Sequence, residues 1–177
     1  MRERMLGAAQ MLALLSRLSL WLAGVGMIVM TAMVAWQVFA RYVLNASPSW
    51  TEPASVMVMS WFIFLGAAVG VRENFHMGFD VLLHFLPAGA GPWMRAISDL
   101  AVLVFGVGMV VYGGQLTIQT WTATIPVLHL PGGFAYMPIV AGGVLMTLFA
   151  LERLLLRAAG VPVDHDPNAE DVILSDA

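Results

Sequence analysis

The 177 residues are 60% hydrophobic and only 11% charged, where a soluble domain carries about a quarter. So large an apolar excess cannot be hidden in one core of this size, which makes lipid its natural solvent. The absence of cysteine excludes disulfides, thiolate metal sites and a cysteine nucleophile. The net charge of −3 comes mostly from an acidic C-terminal stretch, and no basic patch of the kind that binds nucleic acid is present.

The chain opens with Arg2 and Arg4 followed by an apolar run, which invites the reading of a secretory leader. Arg17 interrupts that run, and it then continues to Ala40 without a cleavage site. This length fits a retained spanning helix. Four apolar runs follow one another at about 18–40, 53–71, 97–116 and 136–156. Each is long enough as a helix to cross a hydrocarbon core of about 30 Å. Lipid offers no partner to backbone N–H and C=O groups, so the runs are expected to be helical. Residues 5–17 either lie along the membrane surface or lengthen the first helix.

Every basic residue is arginine. Arg2, Arg4, Arg17, Arg72, Arg95, Arg153 and Arg157 fall on one side of the expected spans, and only Arg41 on the other. The positive-inside rule then puts both termini in the cytoplasm. Trp21 and Trp93 fall near the inner interface, and Tyr42, Trp50, Trp121 and Tyr136 near the outer one, as aromatic belts do. The expected fold class is an all-α membrane protein of four transmembrane helices. Residues 1–159 form the membrane domain, and 160–177 a flexible acidic tail.

Between the second and third spans, Phe75, Phe79, Leu82 or Leu83, and Leu86 recur at helical spacing. His76, Asp80 and His84 share another face. The pattern predicts an amphipathic helix over about 74–86 lying in the inner interface, ended by Pro87 and Gly89. The three polar residues could bind a metal from one face, but no fourth ligand is apparent and the wet side of an interfacial helix explains them. Pro126, Pro131, Gly132 and Gly133 mark a loop before the fourth span, which is expected to start near Met137 with Pro138 in its first turn.

Few residues could carry chemistry. Arg41 and Glu52 flank the first outer loop and either pair or snorkel separately to water. Thr51 and Pro53 suggest a helix start, with Thr51 as cap. Asp99 lies about a turn inside the third span, four residues after Arg95, so a pair on one helix surface accounts for it. Gln115 and Gln119 suit a helix–helix hydrogen bond. Gly66 and Gly70 form a GxxxG face that lets another helix approach. None of the four histidines falls within a span, which disfavours a haem-carrying bundle. No nucleophile–base set, phosphate loop, cofactor signature or internal repeat is visible, and nothing points to an enzyme. An independent small transporter or channel using Asp99 and Glu152, and a membrane anchor for a redox complex, stand as the competing readings.

The stretch from Trp50 to Asp80 gives a more specific lead. Arg41-Tyr42, Trp50-Thr51-Glu52, Trp61, Phe64-Leu65-Gly66-Ala67, Arg72-Glu73, His76 and Asp80 occur in order. Together with Ile125-Pro126 and Tyr136-Met137-Pro138, this set resembles the small membrane subunit of tripartite ATP-independent periplasmic (TRAP) transporters, the DctQ-like small permeases. Pro53 departs from it, standing where that family often has a second Glu. The resemblance covers roughly residues 15–157. It implies a bacterial inner-membrane protein without cofactor, in stable complex with a large sodium-coupled membrane subunit. A periplasmic binding protein would deliver an organic acid and meet the complex transiently. It makes Arg41, Trp50, Glu52, Trp61, Gly66, Gly70, Arg72, His76 and Asp80 the candidate docking or structural residues.

Overall fold

The computed structural model describes residues 2–46, 48–73 and 91–158. The expected interfacial helix, including His76 and Asp80, and the acidic tail lie outside the described residues. Four helices are long and apolar enough to cross a membrane: α1 (Arg2–Tyr42), α2 (Thr51–Arg72), α3 (Gly91–Gln119) and α4 (Met137–Ala158), with a 3-10 turn at Gly132–Ala135 before α4. Among the described residues there is no strand.

Residues 5–17 lengthen the first helix. α1 runs unbroken for 41 residues, about 60 Å at the helical rise and roughly twice a bilayer's hydrocarbon core. It ends because Asn45 takes up a left-handed backbone, φ 49°, and the Ala46 N–H turns back to the Ala40 carbonyl at 3.1 Å. That bond satisfies one of the helix's last carbonyls, and asparagine tolerates the backbone it needs. At the start of α4, Pro138 is the second residue, where its missing N–H costs no helical bond.

The helices form an open row in the order α1, α2, α4, α3. Close contacts fix their directions. A Cβ on Gly26 would lie 3.1 Å from Phe62 Cβ, and one on Gly66 4.0 Å from Ala23, so α1 and α2 are antiparallel. Gly142 faces Phe64 while Arg72 reaches Glu152, so α2 and α4 are parallel. Gly143 sits on Gly106, and Gly113 on Ile139 and Val140, so α3 and α4 are antiparallel. The starts of α1 and α3 and the ends of α2 and α4 therefore share one end of the row.

Hydrophobic transfer does not drive helix association in lipid, so close packing must hold the row. The core is centred on Phe149 and Ala68, both fully buried, with Leu65, Val71, Met109, Leu145 and Met146 around them. α4 approaches both neighbours most closely. A methyl group on Gly142 would come within 2.8 Å of Phe64 Cβ, and one on Gly143 within 2.8 Å of Met109 Cβ. Neither space holds a side chain, so α4 is the keel of the row. Away from it the helices present large apolar side chains outward, such as Leu18, Trp21 and Ile28 on α1 and Val104 and Phe105 on α3, as lipid-facing surfaces do.

Candidate functional site

Charges gather at the end of the row where α1 begins. Arg153, near the end of α4, places Nε 3.3 Å from Asp99 Oδ1, in the third turn of α3. Its Nη1 donates to the Val71 carbonyl at 2.6 Å. Val71 is the penultimate residue of α2, where the helix leaves its last carbonyls without an intrahelical donor. A guanidinium there answers both the empty acceptor and the negative end of the helix dipole. Asp99 and Arg153 are only 4% and 5% exposed, so the pair is dry. From the neighbouring position on α4, Glu152 places Oε2 3.4 Å from Arg72 Nε, with the Arg72 guanidinium 5.7 Å from the centre of the Phe149 ring. The charges thus form one layer joining α2, α3 and α4.

Charges so near lipid carry a desolvation cost that only close partners offset. That explains their confinement to the ends of three helices meeting at one level. Sequence reasoning treated Arg153 only as a topology marker, and Arg72 as a topology marker and a candidate docking or structural residue. It paired Asp99 with Arg95 on one helix surface; the Arg95 side chain is outside the described residues, and what it did not foresee is that Asp99 is buried with its carboxylate facing Arg153. The missed signal was that opposite charges occur within a turn or so of three span ends expected on the same side. In lipid such charges seek one another.

At the opposite end, Ala123–Gly132 folds into a tight hairpin-like loop. Ile125 N–H donates to Leu130 O at 2.8 Å and Gly132 N–H to Ala123 O at 2.6 Å. Val127 and His129 have φ of 73° and 52°, and such a backbone is rare for a β-branched residue. Trp121 at the end of α3 stacks on Phe134, centroids 5.9 Å apart, which ties the loop's two stems. Gly133 makes this possible, because a Cβ there would come within 2.6 Å of both Thr117 O and Trp121 Cε3.

The candidate residues of the Trp50–Asp80 stretch fall in different places. Trp50, Glu52 and Arg41 are exposed at the loop end, and Arg41 and Glu52 form no ion pair with each other. The expected Thr51 cap is replaced by another contact. Trp50 is the N-cap residue and makes no side-chain bond, while Thr51 is fully buried and donates its hydroxyl to Pro48 O at 2.8 Å. The loop proline places a carbonyl under Thr51, so the hydroxyl anchors the turn into α2 instead of capping it. Trp61 packs against the core. Gly66 makes a loose contact with α1, and Gly70 meets nothing within 4 Å. The tight approaches belong to α4's glycines instead. Among the described residues no group of three His, Asp or Glu side chains could hold a metal.

Residues 30–160 match the family model described as tripartite ATP-independent periplasmic transporters, DctQ component. The chain is 29% identical over 127 residues, 71% of its own length and 78% of the relative's, to a Haemophilus influenzae protein named as a TRAP transporter small permease. It is 23% identical over 128 residues to the sialic acid TRAP transporter small permease SiaQ of Vibrio cholerae, covering 72% of this chain and 74% of SiaQ. A C4-dicarboxylate TRAP transporter small permease, DctQ of Vibrio cholerae, is 30% identical over 78 residues, covering 44% of this chain and only 34% of that relative.

Proposed function

Because the chain belongs to the DctQ-component family of TRAP transporters and is a multi-pass inner-membrane protein, we propose that it is the non-catalytic small subunit of such a transporter. In this reading it scaffolds a large sodium-coupled membrane subunit that takes up an organic acid delivered by a periplasmic binding protein. The observation that carries the reading is the charge layer. The two acids that could have lined an aqueous path, Asp99 and Glu152, each face an arginine at one end of the row. No other charged residue among the described ones lies deep within a span. A transporter holds its ion and substrate sites near the midplane on broken helices, whereas α1 to α4 are continuous.

The arginine distribution supports cytoplasmic termini. The charge layer then lies on the cytoplasmic side and the Ala123–Gly132 loop on the periplasmic side. Arg41, Trp50 and Glu52, exposed on that outer side, are the residues we assign to docking, each against the partner and not against each other. Gly70, with open space above it, suits a close approach by a partner helix. His76 and Asp80 belong to the proposed interfacial helix, which would resist tilt and sliding. The transported acid is set by the partners, since no substrate site is apparent among the described residues.

The test is uptake into sealed vesicles with a labelled C4-dicarboxylate and a labelled sialic acid as probes. Vesicles holding this chain alone should show background uptake with and without a sodium gradient. Gradient-dependent accumulation by the chain alone would sink the proposal, and abolition of that accumulation by Asp99→Asn or Glu152→Gln would support an independent transporter.

A further inference from the structure

The contacts between helices are of two kinds. α2, α4 and α3 are tied by polar locks at one end, and α3 and α4 are joined at the other as well. At one end Arg153 reaches both Asp99 on α3 and the Val71 carbonyl on α2, and Arg72 reaches Glu152. At the other, the Trp121–Phe134 stack and the hydrogen-bonded loop close α3 onto α4. In between, Gly142, Gly143 and Gly106 leave no room for sliding without a clash. α1 differs. Among the described residues no hydrogen bond or ion pair joins it to α2, and its seam is made of small and apolar groups such as Ala23 and Gly26 against Gly66 and Phe62. It has no comparable contact with α3 or α4. Its length of 41 residues against 22 for α2 also gives it a long lever.

We propose that the chain is built as two mechanical parts: a locked three-helix unit, α2–α4–α3, and an outrigger, α1, that swings about its seam with α2. Motion of this kind needs a packed element with more than one arrangement of similar energy. An apolar seam in lipid supplies it, because the lipid replaces whatever contact is lost. Buried charge pairs do not permit it, since parting them exposes an uncompensated charge. The locks make α2–α4–α3 the rigid reference, and α1 the part able to follow a moving partner or a change in bilayer thickness. This inference stands independently of the proposed transporter role.

The cysteine-free sequence allows a direct test, since two labels can be placed without removing any native thiol. In the full chain in lipid nanodiscs, spin labels at Leu22→Cys and Val144→Cys report α1 against α4 across α2. Labels at Ile63→Cys and Val107→Cys report α2 against α3 across α4. All four positions are exposed. Electron–electron resonance should give a broad distance distribution for the first pair and a single narrow one for the second. Arg153→Met should broaden the second pair and leave the first unchanged. Asp99→Asn, a milder lesion, should do the same in smaller degree if the Arg153 variant cannot be purified. A first pair no broader than the second overturns the proposal, whichever variants fold. So does a second pair that stays narrow in both variants.

Discussion

Arg153 has three dependants: an acid, a helix end and the burial around them. Removing it takes from the buried Asp99 carboxylate the guanidinium it faces, and breaking a buried pair costs about 3–5 kcal/mol. Arg153→Met should therefore lower thermal stability in detergent markedly. Arg72→Met should cost less, because its pair is partly wetted, with side chains 18% and 12% exposed, and its contact with Phe149 contributes only about 0.5–2 kcal/mol. The double change Asp99→Leu with Arg153→Met should recover much of the single variant's loss, since apolar groups can replace a buried pair outright. Equal losses for Arg72→Met and Arg153→Met would mean that burial does not set the ranking. At the other end, Val127→Gly should raise stability by about 1–2 kcal/mol by relieving a left-handed backbone at a β-branched residue. An unchanged or lowered melting temperature would show that the loop, not Val127, absorbs the strain. These roles were hard to read in the sequence. Asp99 and Arg153 are 54 positions apart, whereas Arg95 stands four residues from Asp99 and satisfies the local helix rule. Thr51 looked like a cap because its residue type and position suit one, and only the path of the chain through Pro48 shows otherwise.

Among the elements, the spans were legible because lipid imposes a single solution on a long apolar run. Pro138 marked the start of α4 as expected. The first helix exceeded its expected length because nothing between Met5 and Arg17 breaks a helix, and apolar periodicity cannot say where a helix leaves the bilayer. The packing face was less legible. GxxxG at Gly66 and Gly70 has the right spacing, yet α4's adjacent glycines make the closest approaches, since which small residue faces a neighbour depends on helix rotation. The consequence is measurable. Gly142→Leu forces a branched side chain into the Phe64 backbone, which a small shift cannot accommodate, so a loss of about 1–3 kcal/mol from overpacking is expected. Gly70→Leu should leave the stability of the isolated chain nearly unchanged, its space being open. Equal destabilisation by the two in detergent would contradict the assignment of α4 as keel.

For the whole molecule, four helices were foreseeable and their arrangement was not. Among the described helices, the row α1, α2, α4, α3 leaves its two end helices with one extensive neighbour each, so these helices enclose little and present much. That suits a subunit which widens a larger assembly, and it gives the charge layer its purpose: an open row lacks the mutual support of a closed bundle and gains rigidity from locks at its ends. Composition could exclude soluble, nucleic-acid-binding and thiol-based classes, and the ordered residues around Trp50–Asp80 could point to the family. Neither could reveal an open row, because neighbour order depends on contacts between distant segments. The role of that row in a complex is tested most directly by purifying the tagged chain from its native membranes in mild detergent. It should elute with a much larger polytopic membrane protein in fixed proportion, and Glu52→Arg or Arg41→Glu should each reduce the amount recovered with neither restoring the other. A chain that elutes alone, or only with copies of itself, would contradict the scaffold role.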